Sequence, residues 1–102
     1  MLQRNVTHVF CDRSRVAQIQ VQGMNLKGSL PKNLNQLSML TNLGLQKNMF
    51  SRSLPSLSGL SEFRGAYFDY NLFDEMPDDL FQGLDRLEVM VLDSLGVICR
   101  FI

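Results

Sequence analysis

The strongest constraint on this chain is an internal period. Units starting at Val16, Leu40, Phe63 and Leu87 follow one another at steps of 24, 23 and 24 residues. Positions one, four and six of each are apolar: Val16, Ile19, Val21; Leu40, Leu43, Leu45; Phe63, Ala66, Phe68; Leu87, Met90, Leu92. The alternation between positions four and six is that of a short strand with one buried face. A single unit of this size cannot bury its apolar face. It has to stack on its neighbours, and about three or more units are needed for a stable core.

The rest of each unit changes period. An apolar residue at position eleven (Leu26, Phe50, Phe73) is expected to close the turn after the strand. Then come Leu30, Pro31, Leu34 and Leu37; Leu54, Pro55, Leu57 and Leu60; and Met76, Pro77, Leu80 and Leu84. Spacings of three or four after a proline predict a return along a helical or 3₁₀ path. Asn48 and Asn71 hold position nine, where an amide side chain can turn inward and bond backbone groups that a tight turn leaves unpaired. Met24 and Leu95 stand there in the outer units, so the ends should be looser than the middle. A helical bundle is the rival reading of Leu34, Leu37, Leu40 and Leu43, but Gly44 and Asn48 weaken it and Pro55 recurs inside the same layout. The expected fold is therefore an α/β solenoid with short parallel strands on a concave face and helical or 3₁₀ returns.

At 102 residues the chain is one domain at most, and its longest apolar runs fall far short of a membrane span. Polar residues Arg4, Asn5, Thr7 and His8 follow Met1 closely, so the chain as written is expected to carry no export signal. Zero net charge conceals an asymmetry: residues 1–52 carry +6 and residues 53–102 carry −6. The basic residues are scattered, without aromatic interleaving, which argues for solvated surface rather than a nucleic-acid interface.

Chemistry-bearing motifs are sparse. His8 and Cys11 have metal-ligand spacing, but a structural zinc needs four ligands and the next cysteine, Cys99, is 88 residues away. Asp74, Glu75, Asp78 and Asp79 lack the ligand spacing and glycine of a calcium loop; Asp78 and Asp79 are expected to start the return helix. One histidine, placed near no nucleophile by any motif, gives no basis for a catalytic site. No catalytic, metal or cofactor site is expected. Asn5 begins a glycosylation sequon that matters only if the segment is exported. Cys11 and Cys99 flank the stack and are expected not to pair, being three to four layers apart.

The surface with functional promise is the concave face, where positions three, five, seven and eight should project. Those columns hold Gln18, Gln20, Gln22 and Gly23; Asn42, Gly44, Gln46 and Lys47; Gly65, Tyr67, Asp69 and Tyr70; Val89, Val91, Asp93 and Ser94. Polar strand residues are ordinary on such a face, but two tyrosines beside amides are typical interface anchors. The partner-binding candidates are Gln20, Gln22, Gln46, Lys47, Tyr67, Asp69, Tyr70 and Asp93.

Units of the form L-x-x-L-x-L-x-x-N-x-L-x-G-x-[IL]-P resemble plant leucine-rich repeats, most closely over residues 16–39 with Gly28, Leu30 and Pro31. Arg52 stands where the pattern has glycine, and the third unit drops a residue before Met76 and Pro77. The run from Pro55 to Leu60, with Tyr70 to Pro77 and Asp79 to Leu84, is similar to the extracellular region of the TMK subfamily of plant receptor-like kinases. Val6 to Cys11, with Arg15, Val16 and Ile19, resembles the end of an amino-terminal cap whose other cysteine and tryptophan are absent. The resemblance implies a partial cap over residues 1–15 and four repeats over 16–102, the last diverging after 94. It implies a parent at the plasma membrane, extracellular side. Its ligand would be an apoplastic protein or peptide, such as a co-receptor or an auxin-binding protein, in auxin-related growth signalling. The kinase activity of the family does not carry over, because no phosphate loop or catalytic loop is present. Nor is contact of this segment with nucleic acid or membrane implied. Two alternatives stand beside this reading: a secreted inhibitor of a cell-wall enzyme, which perfectly regular units would favour, and a truncated product without independent function.

Overall fold

The computed structural model describes residues 8–92 and the backbone of residues 97–100. Asn5, Asp93, Ser94 and Leu95 lie outside the described residues. The chain winds as a solenoid with two parallel ribbons. One ribbon contains β2 (Arg15–Gln20), β4 (Asn42–Gly44), β6 (Gly65–Tyr67) and β8 (Val89–Leu92); the other contains β3 (Lys27–Ser29), β5 (Met49–Ser53) and β7 (Leu72–Glu75). Gln18 pairs with Asn42, Asn42 with Gly65, and Gly65 with Val89, so the strand register repeats the steps read in the sequence.

Two further strands flank the first ribbon and run antiparallel to it. β1 (Val9–Asp12) pairs with β2, and β9 (Val97–Arg100) pairs with β8, completing a six-stranded sheet. Both strands cover backbone edges that would otherwise stay open. His8 sits at the first edge, its ring Nδ1 2.9 Å from the Gln20 carbonyl while its own carbonyl accepts from the Gln20 N–H at 2.8 Å.

The returns take the 3₁₀ form of the two expected, and among the described residues there is no α-helix. A 3₁₀ turn spans Leu34–Gln36. Elsewhere isolated i to i+3 bonds recur at leucine spacing: Leu40 N–H to Leu37, Leu60 to Leu57, Phe63 to Leu60 and Leu87 to Leu84. A 3₁₀ turn eclipses residues three apart, which is why leucines spaced by three all reach the interior. Asp78 and Asp79 start no helix; they lie in a turn in which Gln82 N–H donates to the Asp79 carbonyl at 3.0 Å.

The core follows the predicted positions. Leu40, Leu43, Leu57, Leu60, Phe63, Ala66, Phe68 and Met90 are fully enclosed, whereas Val16, Ile19 and Val21 of the first unit are only partly covered. Phe73 stacks on Phe50 at 6.5 Å and meets Phe68 edge-on at 5.8 Å, so position eleven forms an aromatic spine behind the turn. Asn48 and Asn71 are buried and bind two coils at once. Asn71 Oδ1 accepts from Phe50 N–H at 3.0 Å, and its Nδ2 donates to the carbonyls of Leu45, Phe68 and Asp69. Asn48 Oδ1 accepts from Met24 and Leu26 N–H, and its Nδ2 donates to Val21, Leu45 and Gln46.

Two outcomes follow. Asn71→Ala should lower stability in urea denaturation by about 3 kcal/mol, since it strands the Phe50 amide in the core. Asn48→Ala should cost less, because the amides it serves are partly open to water. Cys11 lies on β1 and Cys99 on β9, at opposite edges of the sheet and five strand spacings apart. At about 4.8 Å per spacing this is roughly 24 Å, wider than expected from the repeats alone because both flanking strands fold outside them. A disulfide needs α-carbons within about 7 Å. Non-reducing mass spectrometry of dilute oxidised monomer should therefore show no Cys11–Cys99 crosslink.

Candidate partner-binding face

The outer face of the six-stranded sheet is built by alternation. Inward residues at positions four and six leave three, five and seven outward, and the register aligns them as Gln20, Gly44, Tyr67, Val91 and as Gln18, Asn42, Gly65, Val89. The two glycines make low points that neighbours fill. A Cβ on Gly44 would collide with Gln20 Oε1 and come within 3.0 Å of Gln22 Oε1, so both glutamine side chains lie over it. A Cβ on Gly65 would stand 3.2 Å from Asn42 Nδ2 and from Val89 Cγ1. Tyr67 rises beside this floor with 37% of its surface exposed.

Position eight needs a different explanation, since strand alternation would send it inward after an outward position seven. The backbone there is left-handed in three successive units, with φ of 67° at Gly23, 61° at Lys47 and 57° at Tyr70. This turn, three residues past the end of the strand, leaves Lys47 and Tyr70 exposed and sets up the following asparagine. Glycine suits that conformation; a tyrosine occupies it against a steric cost of about 1 kcal/mol. Burial does not offset the cost, because Tyr70 is 65% exposed.

The column at position seven is polar. Gln46 and Asp69 are half-buried, and their Oε1 and Oδ1 atoms are enclosed without a hydrogen-bond partner among the described residues. The Gln46 amide presents either its oxygen or its nitrogen to this column, so one orientation supplies a donor. Of the eight candidates, Gln20, Gln22, Gln46, Lys47, Tyr67, Asp69 and Tyr70 are described, and Asp93 is not. Gln20 pairs with Gly44 and Gly44 with Tyr67 on adjacent strands, while Lys47 N–H donates to the Asp69 carbonyl at 2.9 Å.

The left-handed strain at Tyr70 was missed in reading the sequence, although Gly23 at the same position is its signal. Missed too was the fate of Arg52, which replaces glycine and keeps the glycine backbone, with φ of 70° against 105° at Gly28.

No protein-family profile matches the chain. Individual proteins do. It is 36% identical over 85 residues to receptor-like kinase TMK2 of Arabidopsis thaliana, covering 82% of this chain and 10% of that protein. It is 40% identical over 72 residues to an inactive leucine-rich repeat receptor-like serine/threonine-protein kinase of Arabidopsis thaliana, covering 69% of this chain and 11% of the relative. Receptor protein kinase WSS1 of Oryza sativa subsp. japonica is 31% identical over 90 residues, covering 85% of this chain and 10% of that protein. The chain thus spans about a tenth of the length of these relatives. The likeness extends over most of a chain folded as a repeat solenoid, and the homologues it identifies are plant receptor-like kinases.

Proposed function

We propose that the chain is a protein-binding module from the extracellular part of a plant receptor-like kinase, and that its partner docks on the outer sheet face around Tyr67 and Tyr70. The carrying observation is Tyr70, an exposed aromatic at a turn whose backbone favours glycine. Strain of this kind is commonly retained where a side chain serves a contact. Tyr67, Lys47 and the amides of Gln20, Gln22 and Gln46 belong to the same set of outward columns and supply the mixture of aromatic and adaptable polar groups that interfaces use.

In this reading the parent protein lies at the plasma membrane with the solenoid outside the cell. The partner is an apoplastic protein or peptide, a co-receptor or an auxin-binding protein being the classes that fit a TMK-like receptor in growth signalling. Phosphoryl transfer belongs to other parts of such a parent. The 23-residue step and the receptor-like relatives favour this reading over a secreted enzyme inhibitor.

The test uses the chain immobilised and exposed to plant apoplastic fluid, with retained proteins quantified by mass spectrometry. Tyr67→Ala should weaken capture of the specific partner by about 2 kcal/mol, near 30-fold, without lowering the melting temperature. Arg86→Ala, away from the proposed face, should leave capture intact. If Tyr67→Ala retains the same proteins to the same extent as wild type, the face is not the binding surface. Tyr70→Gly separates strain from contact: it should raise stability in urea denaturation by about 1 kcal/mol while reducing capture.

A further inference from the structure

A second concavity lies away from the sheet face. It is a groove of about 650 Å³ running past the C-terminal ends of β3, β5 and β7, and none of its lining residues belongs to the six-stranded sheet. Its size falls within the roughly 300–1,000 Å³ of ligand sites. Leu54, Pro55 and Pro77 supply apolar wall, and four charges line it: Lys32 and Arg52 from the first two units, Asp74 and Glu75 from the third. The ion pairs among the described residues are Arg64–Glu88 and Arg86–Glu62, so none of the four groove charges forms an ion pair with another described residue.

Arg52 provides an independent observation. Its backbone is left-handed, where the preceding unit has Gly28, and the register between β5 and β7 slips between Arg52 and Ser53. An exposed arginine is thus kept in a glycine conformation at the groove, where neither burial nor an ion pair with another described residue compensates for it.

We propose that this groove binds an extended peptide segment bearing an acidic and a basic side chain three residues apart, the acid at Lys32 and Arg52 and the base at Asp74 and Glu75. Lys32 belongs to the first unit, two strand spacings or about 10 Å from the third, and Arg52 to the second unit, which lies between them. A polyproline II segment advances about 9 Å per three-residue turn, so its residues i and i+3 share one face at that separation. Such a segment has little conformational freedom to lose, and Pro55 and Pro77 offer it apolar contact. A guanidinium can hold the acid through two parallel hydrogen bonds. The proposal is independent of the sheet-face reading, because the two surfaces share no residue.

Calorimetric titration of the full chain with four capped hexapeptides tests it: P-E-P-P-K-P, P-K-P-P-E-P, P-E-P-P-E-P and P-K-P-P-K-P. One of the two mixed-charge peptides should bind at least tenfold tighter than either like-charged one, and its affinity should fall as salt is raised. Arg52→Gly should weaken that peptide at least tenfold and leave the melting temperature unchanged or higher, since glycine suits the backbone there. Asp74→Asn with Glu75→Gln should weaken it from the other end. Tyr67→Ala should have no effect, which separates failure here from failure of the sheet-face reading. Equal binding of all four peptides, no binding of a mixed-charge peptide at millimolar concentration, or undiminished binding by Arg52→Gly would overturn the proposal.

Discussion

The structure depends on buried asparagines that hydrogen-bond the backbone of two coils at once. Beyond the strand of each of the first three units the chain turns through a left-handed residue and leaves amides and carbonyls directed at the interior, beyond the reach of the strand ladder. Such groups are costly to bury unpaired. Asn71 closes the gap by serving Phe50 and Leu45 of the second unit together with Phe68 and Asp69 of its own. Each coil therefore completes its hydrogen bonding only against a neighbour, just as each buries its leucines only against a neighbour. That shared requirement makes the stack cooperative, and the first unit, at the end of the stack with a further repeat on one side only, is the less enclosed one.

Stacking in chain order turns linear features into spatial ones. The basic first half and acidic second half become a charge gradient along the stack, and the groove at the ends of β3, β5 and β7 crosses the point where the sign changes. The exposed pairs Arg64–Glu88 and Arg86–Glu62 join residues 24 positions apart and follow from the same geometry. They are open to water and contribute little to stability. On the sheet face, Gly44 and Gly65 become shallow places over which neighbouring amides lie, and the tyrosines stand above them.

Much of this was legible because the period is local and repeated. Inward residues at positions four and six and the outward residues at three, five and seven follow from a two-residue alternation, while position one and the inward asparagines are legible from their recurrence at each step. Less legible were the returns. Leucine spacing of three fits one face of a helix as well as successive 3₁₀ turns, and only the short path available between each proline and the next strand selects the latter. Position eight points outward because a left-handed turn puts Lys47 and Tyr70 outside against the strand alternation, a cause that only the backbone angles disclose.

By itself, then, the sequence determined the solenoid, its step, its core and the columns of its sheet face, since each depends on spacing within a unit and on likeness between units. The tertiary structure decided what depends on groups from different units meeting. It closed both sheet edges with antiparallel strands, held Arg52 and Tyr70 in glycine conformations, and opened a groove between cations of two coils and carboxylates of a third. The physical reason is that spacing specifies which face a residue takes, whereas the orientation of charged or strained side chains is set by the backbone path and neighbours that stacking provides.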